Sequence, residues 1–387
     1  MVVHVTTGLT PRAGGPYVSV AGLVRALVAE NGCIPVVVAP VAAPPAGVDR
    51  THWSSAAVFT LPPGSSNAKG RSVVFGGRGR FLRAAVPSAP SIVHLHGLWD
   101  SGTFVAADLA GLSGVRFVVS PRGMLEPWAL RHKWLKKKAF LTGYLRSLLA
   151  ASDLLHATSE AEADSLRSLG FRQPIAVIAN GVDCSQALER CDVPVEARRR
   201  LLYLGRLHVK KGLENLLRAW AMTRPPNWQL SIAGLDEGGY QSRLESLAES
   251  LGITDSIDFP GAFLGADKWD YLARGTAFVH PSFSENFGIA VAEALAAGLP
   301  VIATVGTPWQ MLPAERCGWW VDPTPDALAA AIDSLTSCSD SALGAMGDRA
   351  RTFAGAKFGW RQIGRDMTAC YRWLTDRGPA PECVRFA

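Results

Sequence analysis

Apolar positions along the chain fall into two recurring patterns. Short runs rich in Val, Ile and Leu occur at Val2–Val5, Ile34–Ala39, Ser91–Leu95, Phe117–Ser120, Leu154–Ala157 and Ile175–Ile178. Their length and β-branching predict strands covered on both faces. Segments of helical period lie between such runs, the first over Val18–Glu30. A second series of strands is predicted at Arg200–Leu204, Gln229–Ala233, Ile257–Phe259, Ala277–His280, Val301–Ala303 and Gly318–Val321, with helices over Leu213–Ala221 and Tyr240–Leu251. Strand–helix alternation of this kind predicts parallel sheets with helices on both faces. Between residues 43 and 90, Pro, Gly and Ser interrupt the pattern and no element is assigned.

At 387 residues the chain is long for one domain. The two strand series divide it into an N-terminal Rossmann-like domain over 1–178 and a C-terminal one over 179–358, with a closing helical segment over 359–387. In that segment Trp360, Ile363, Met367, Tyr371 and Leu374 share one helical stripe, the pattern of core packing. The fold class expected is α/β, two doubly wound Rossmann-like domains facing a central cleft, with ligands beyond the C-terminal strand ends. A hydrophobic fraction of 48% suits a folded core. No apolar run is long enough to span a bilayer and no signal peptide is evident, so a cytoplasmic location is expected. Seven scattered cysteines without C-x-x-C spacing argue against a disulfide framework or a zinc site.

Two segments concentrate chemistry. In "LLYLGRLHVKKG" a strand ends at Gly205, and Arg206 and Lys211 occupy the loop before the next helix, where a phosphate would meet two cations and backbone N–H groups. In "HPSFSENFGIAVAEALAAG" Glu285 stands in a strand-to-helix turn, followed by Asn286, Phe287 and Gly288, and Glu293 lies over a turn inside the helix from Ile289 to Ala297. Carboxylates at those places suit the vicinal diols of a sugar or a ribose, while solvated helix charges would produce a similar spacing. The glycines of "GGRGRF" follow no convincing strand and carry little weight.

The pair Glu285-x7-Glu293 within "SENFGIAVAEALAAGLPVIAT" resembles the E-x7-E signature of retaining GT-B glycosyltransferases, specifically glycosyltransferase family 4. "GRLHVKKG", "HATSEAEADSLRSLGF", "VIANGVD" and "FPGAF" match that family in order. The runs "SPRGMLEPWAL", "GTPWQML" and "CGWWVD" resemble a bacterial exopolysaccharide-assembly subgroup. The resemblance implies a retaining, metal-independent hexosyltransferase that uses a nucleotide-diphosphate sugar, with UDP favoured as the nucleotide. It also implies an acceptor-side N-terminal domain over 1–178, a donor domain over 179–358 and a helix over 359–387 that crosses back to the N-domain. No resident cofactor is implied, and the absence of D-x-D leaves no metal motif at the diphosphate. Arg206 and Lys211 would neutralise the departing diphosphate, Glu293 would accept from ribose hydroxyls, and Glu285, helped by the Asn286–Gly288 backbone, would bind the transferred sugar. Phe263 falls where the family's main chain meets the nucleobase. Gly14 and Gly15 would let the N-terminal loop approach the phosphates.

One departure stands out. Where many relatives carry a His at the end of an N-domain strand, this chain has Ser120, Pro121 and Arg122. Arg122 is expected to face the cleft. His96, at a strand end in "VHLHGLWD", is a candidate acceptor-side group, with His94 taken to point to the opposite face. Thr158, Ser159 and Glu160 either line the cleft or cap a helix.

A net charge of +6 peaks in "RHKWLKKKAF". There Trp134 and Lys136, Lys137 and Lys138, with Trp128 upstream, form either a solvated helix face or a surface for an anionic membrane or phosphorylated acceptor. Nucleic acid is not expected as a partner, since no recognition motif accompanies the charge. The expected partners are the nucleotide sugar and a saccharide or polyprenyl-diphosphate-linked saccharide acceptor, with peripheral association at the inner face of the plasma membrane. The rival readings are an NDP-sugar epimerase on the same fold and a non-catalytic sugar-nucleotide-binding subunit of a polysaccharide assembly complex.

Overall fold

The computed structural model describes residues 1–6, 15–30, 34–39, 56–60, 90–99, 102–126, 144–189, 199–376 and 378–387. Two compact units are present, one formed by Met1–Gly181 with Trp360–Ala387 and the other by Val182–Gly359.

The first unit contains strands β1 (Val2–Thr6), β2 (Pro35–Ala39), β3 (Ala57–Thr60), β4 (Ile92–His96), β5 (Arg116–Ser120), β6 (Leu154–Ala157) and β7 (Ile175–Val177). They run parallel in the order β7-β6-β5-β4-β1-β2-β3, and a C-terminal strand, Val384–Arg385, lies antiparallel against β7. Among the described residues its helices are α1 (Gly15–Ala29), α2 (Gly102–Ala110), α3 (Arg146–Ala150), α4 (Glu160–Ser168) and the terminal helix Trp360–Asp376.

Alternation along the strands sends successive side chains to opposite faces. Val3, Val5, Val93, Leu95, Val119 and Leu155 form one core with Val105 and Leu109 of α2 and Leu166 of α4. Val2, Ile92, Val118, Leu154 and Ala176 form the other, against Leu23 and Leu27 of α1 and Ile363, Met367, Tyr371 and Leu374 of the terminal helix. That helix therefore buries the stripe its sequence period marks. The Trp360 indole slots between Gly22 and Gly181, where an added Cβ would lie 2.0 and 2.3 Å from the ring. Only a missing side chain on both sides admits it.

Among the described residues the second unit holds six parallel strands, β8 (Arg199–Leu204), β9 (Trp228–Ala233), β10 (Ile257–Asp258), β11 (Ala277–His280), β12 (Val301–Thr304) and β13 (Gly318–Val321). Their order is β10-β9-β8-β11-β12-β13. Its helices are α5 (Cys184–Glu189), α6 (Leu213–Thr223), α7 (Tyr240–Ser250), α8 (Asp267–Ala273), α9 (Ile289–Ala296), α10 (Pro325–Thr336) and α11 (Asp340–Phe358). Consecutive strands progress outward from β8 and then restart on its other side with β11. The β8–β11 junction is thus the point of strand reversal, where doubly wound sheets open a crevice at their carboxyl ends.

Several elements go beyond those assigned from the sequence, among them helices α3, α5, α8, α10 and α11. Strand β3 falls in the Pro-, Gly- and Ser-interrupted stretch, the C-terminal strand is too short to show a period, and α2 is a short Ala-rich segment without a charged face. Helix α1 also starts earlier than the apolar period, at Gly15, because Pro16 is tolerated in a first turn whose N–H groups lack partners.

Candidate functional site

At the strand-reversal point of the second unit, the loop after β8 and the loop after β11 are joined by backbone. Phe283 N–H donates to Lys210 O (2.9 Å), Ser282 Oγ donates to the same oxygen (3.2 Å), and Thr304 Oγ1 donates to Ser282 O (2.6 Å). Gly212 lets the two loops close: its φ is +67°, and a Cβ there would stand 2.1 Å from Pro281 O. The His208 side chain accepts from Lys210 N–H and starts the 3-10 turn Val209–Lys211.

This arrangement brings Lys211 to Glu285. The ammonium contacts Glu285 Oε1 directly, and His280 Nε2–H donates to the same oxygen at 3.2 Å. Burial pushes the Glu285 carboxyl up, but Lys211 and His280 together outweigh it and hold it far below the ordinary carboxylate range. Burial also lowers His280, against the opposing pull of Glu285, so it is a neutral imidazole at pH 7. Glu285 is consequently a fixed anion, with the lysine and histidine orienting it. The sequence reading missed His280 as its partner, although the five-residue spacing from the strand-end histidine was there to be read.

Arg206 lies in the same loop as Lys211 but turns outward. Its guanidinium pairs with Glu237 Oε2 at 3.0 Å and is largely exposed. Glu293 is buried on α9, and its charge is met by Lys268 of α8, which also lies 5.1 Å from the Trp269 ring centre. Sequence reasoning overlooked Lys268; the available signal was physical, since a carboxylate on an otherwise apolar helix requires a cation nearby. Asn286 follows Glu285 in the turn. Phe287 is buried against Trp309 and Phe358, and its carbonyl accepts from Trp309 Nε1–H at 2.6 Å. Gly288, at φ +77°, precedes α9. Phe263 stacks on Tyr271, with ring centres 4.7 Å apart.

In the first unit, His94 and His96 share a face. Residues two apart in a strand always do, which corrects the expectation that they point apart; their ring centres are 4.0 Å apart. They belong to a buried polar layer at the carboxyl ends of β1, β4, β5 and β6 whose proton positions follow from two fixed ends. At one end, His156 Nε2–H donates to Ile178 O (2.9 Å), so His156 Nδ1 accepts from Ser120 Oγ (2.6 Å). Ser120 Oγ then accepts from His94 Nε2 (2.8 Å), and His94 Nδ1 accepts from Tyr371 O–H (2.7 Å). At the other end Arg122, which can only donate, gives Nη2–H to His96 Nδ1 (3.1 Å). His96 Nε2–H must then donate to His4 Nδ1 (3.0 Å). His4 Nε2–H is left buried without an acceptor among the described residues.

Burial, reinforced by Arg122, lowers His4 and His156 to about 3, and burial lowers His94 and His96 well below the ordinary value, so the layer is neutral at pH 7. His4, His94 and His96 offer nitrogens within 4.8 Å of one another, the spacing of a metal triad. However, all three lone pairs are already used by donors, and the Arg122 guanidinium sits beside them.

Arg122 stands at φ +56° and also donates from Nη1 to Ser19 Oγ (3.0 Å) and Asn180 Oδ1 (2.6 Å). These acceptors all belong to its own unit, so the side chain secures the "SPRG" turn. The following Gly123 N–H donates to Glu162 (2.6 Å), which also accepts from Thr158 N–H (2.7 Å), while Ser159 caps α4. The S-x-x-E spacing of Ser159 and Glu162 signals such a cap. Gly15 opens α1 and is exposed. Gly14, Trp128, Trp134, Lys136, Lys137 and Lys138 lie outside the described residues. Among the described residues, no helix is long and apolar enough to cross a membrane.

Comparison with known proteins places both units. Residues 13–186 match the family described as Glycosyltransferase Family 4, and residues 190–353 match Glycosyl transferases group 1. The GDP-mannose:cellobiosyl-diphosphopolyprenol alpha-mannosyltransferase of Xanthomonas campestris is 32% identical over 288 residues, spanning 72% of this chain and 73% of its own. Among solved structures, sucrose-phosphate synthase from Thermosynechococcus elongatus superposes with a TM-score of 0.77 at 21% identity, over 97% of this chain and 99% of its own. Anabaena Alr3699/HepE in complex with UDP and glucose gives 0.70 at 19% identity, over 95% and 97%. These two share the fold, which is GT-B. Two Rossmann-like sheets, a carboxylate–lysine site at the strand reversal of the second, and a relative matching across most of both chains lead to one assignment: this chain is a glycosyltransferase belonging to glycosyltransferase family 4.

Proposed function

We propose that the protein is a retaining, metal-independent hexosyltransferase that moves a sugar from a nucleoside-diphosphate donor to a saccharide or polyprenyl-diphosphate-linked saccharide in bacterial polysaccharide biosynthesis. The observation that carries this reading is Glu285 at the β8–β11 crevice, ionised and oriented by Lys211 and His280. A carboxylate held so far below the ordinary range neither gives nor takes a proton near neutrality, so Glu285 serves as a hydroxyl acceptor for the donor sugar. Breaking the glycosyl–phosphate bond builds negative charge on the departing diphosphate and positive charge on the sugar. Lys211, and Arg206 of the same loop once released from its exposed pair with Glu237, supply the compensating cations without a metal. Retention follows if the acceptor hydroxyl attacks from the face the diphosphate leaves, its proton passing to a leaving-phosphate oxygen. Glu293, seated beside Lys268, accepts from the ribose hydroxyls.

For the nucleotide, the Xanthomonas campestris relative at 32% identity is named for GDP-mannose, which favours a guanosine donor over the uridine donor suggested by the motifs. Thermal stabilisation by GDP, UDP and ADP and their sugars, followed by donor turnover with the best binder, tests the whole reading. Ligands that bind only the folded state raise its stability by about 2.7 kcal/mol at a hundred times Kd. GDP should stabilise most, the product should retain the donor's anomeric configuration, and EDTA should leave turnover unchanged. Conversion of the nucleotide sugar without any acceptor would contradict transferase function.

A further inference from the structure

Outside the catalytic unit, two cysteines of the first unit face each other with their sulfurs 3.6 Å apart. Cys370 is buried on the terminal helix, in the core with Met367 and Tyr371, and Cys383 is half-buried on the turn before the C-terminal strand. Both backbones are fixed. Cys370 sits inside a helix of 17 residues, and Cys383 O accepts from Val177 N–H of β7 at 2.8 Å. The other described cysteines are engaged differently: Cys184, Cys317 and Cys338 each donate to a backbone carbonyl.

We propose that Cys370 and Cys383 are an oxidant-responsive dithiol, at which hydrogen peroxide forms one intramolecular disulfide that ties the terminal helix to the C-terminal strand. The two sulfurs stand 3.6 Å apart, already in contact, and closing to a bond of about 2.0 Å brings them together by less than the width of an atom. The pair is asymmetric in the sense the reaction needs. The hydrogen bond from the Cys370 thiol lowers Cys383, the more accessible sulfur, while that same bond and burial raise Cys370. Cys383 is therefore the attacking thiolate and Cys370 the resolving thiol.

In the first step the Cys383 sulfur attacks the peroxide; an S–O bond forms, the O–O bond breaks, and the leaving oxygen departs as water after taking a proton. In the second, Cys370 sulfur displaces the sulfenic oxygen; the S–S bond forms, the S–O bond breaks, and the hydroxide leaves as water with the Cys370 proton. Two thiols lose two electrons in all, and hydrogen peroxide is reduced to two waters.

The test treats the full chain with hydrogen peroxide and digests it with trypsin. The expected product joins peptide Asp366–Arg372 to Gly378–Arg385, two hydrogens lighter than the sum of the free-thiol peptides, and separates under a thiol reductant. Oxidation should raise Tm by several degrees in the parent, because the link closes a chain loop in the unfolded state, and should not do so in Cys383→Ser. In Cys370→Ala the reaction should stop at a sulfenic acid on Cys383 that a dimedone probe labels. Oxidation of Cys383 to sulfinic acid in the parent while Cys370 remains an alkylatable thiol would overturn the proposal. So would two unreacted thiols after peroxide.

Discussion

Replacing Lys268 with Met would leave the Glu293 carboxylate buried on α9 without its cation. Loss of one partner from a buried pair costs about 3–5 kcal/mol, and the modest exposure of this lysine places the expected loss near the lower end. Urea denaturation of Lys268→Met measures it, and an unchanged midpoint would show that the pair contributes nothing. The polar layer of the first unit makes a second prediction. His4 ionises in the folded chain near 3 but near 6.5 when unfolded, so the unfolded state binds the extra proton between those values. Its contribution to stability is present above pH 6.5 and drains away as pH falls, by about 1.4 kcal/mol per pH unit. Glu285 is lost only lower, below its unfolded value of 4.5, and Glu162, raised by burial, is common to parent and variant, so comparing the two chains from pH 6.5 to 5 isolates His4. In His4→Asn the slope of stability against pH in that window should fall by one proton; an identical slope would contradict the assignment. At this scale the sequence revealed Glu285, Glu293 and Lys211 but not Lys268 or His280. A carboxylate's need for a partner can be read from the chain, whereas the partner's identity depends on which loop the fold brings across. The single-strand pair His94 and His96 was legible in principle, since period 2 puts both on one face.

The elements that make the site are short loops locked by backbone contacts. Gly212→Ala adds a methyl where Pro281 O stands and asks a non-glycine residue to hold φ +67°, so the loop carrying Lys211 must move away from the loop carrying Glu285. The expected result is a stability loss of about 1–3 kcal/mol with donor turnover reduced at least tenfold. Turnover equal to the parent would show that the two loops need not touch. Most strands were legible because their short apolar runs are β-branched, and α1, α6, α7, α9 and the terminal helix because they are periodic, whereas α3, α5, α8, α10 and α11 were not assigned. The loop contacts were not, because "LHVKKG" and "HPSFSE" show no pattern that pairs them. The terminal helix was legible as an apolar stripe, but its neighbours Gly22 and Gly181 became recognisable only once Trp360 lay between them.

At the scale of the molecule, two sheets of the same kind divide the labour the sequence outlined. The first carries a neutral, fully buried hydrogen-bonded layer around Arg122, and the second a charged site at its strand reversal. The return of the closing helix to the first unit was expected from the family resemblance, whereas the strand Val384–Arg385 that completes its sheet was not, because two residues show no period. Under the proposed function, the charged centre of the second unit, and Glu285 above all, carries the reaction. The direct test is donor turnover by Glu285→Ala and the parent with GDP-mannose and a polyprenyl-diphosphate-linked saccharide, alongside the Tm of each. The account predicts turnover lower by about 10²–10³ with the fold retained. Turnover at the parent rate by a folded Glu285→Ala would contradict it.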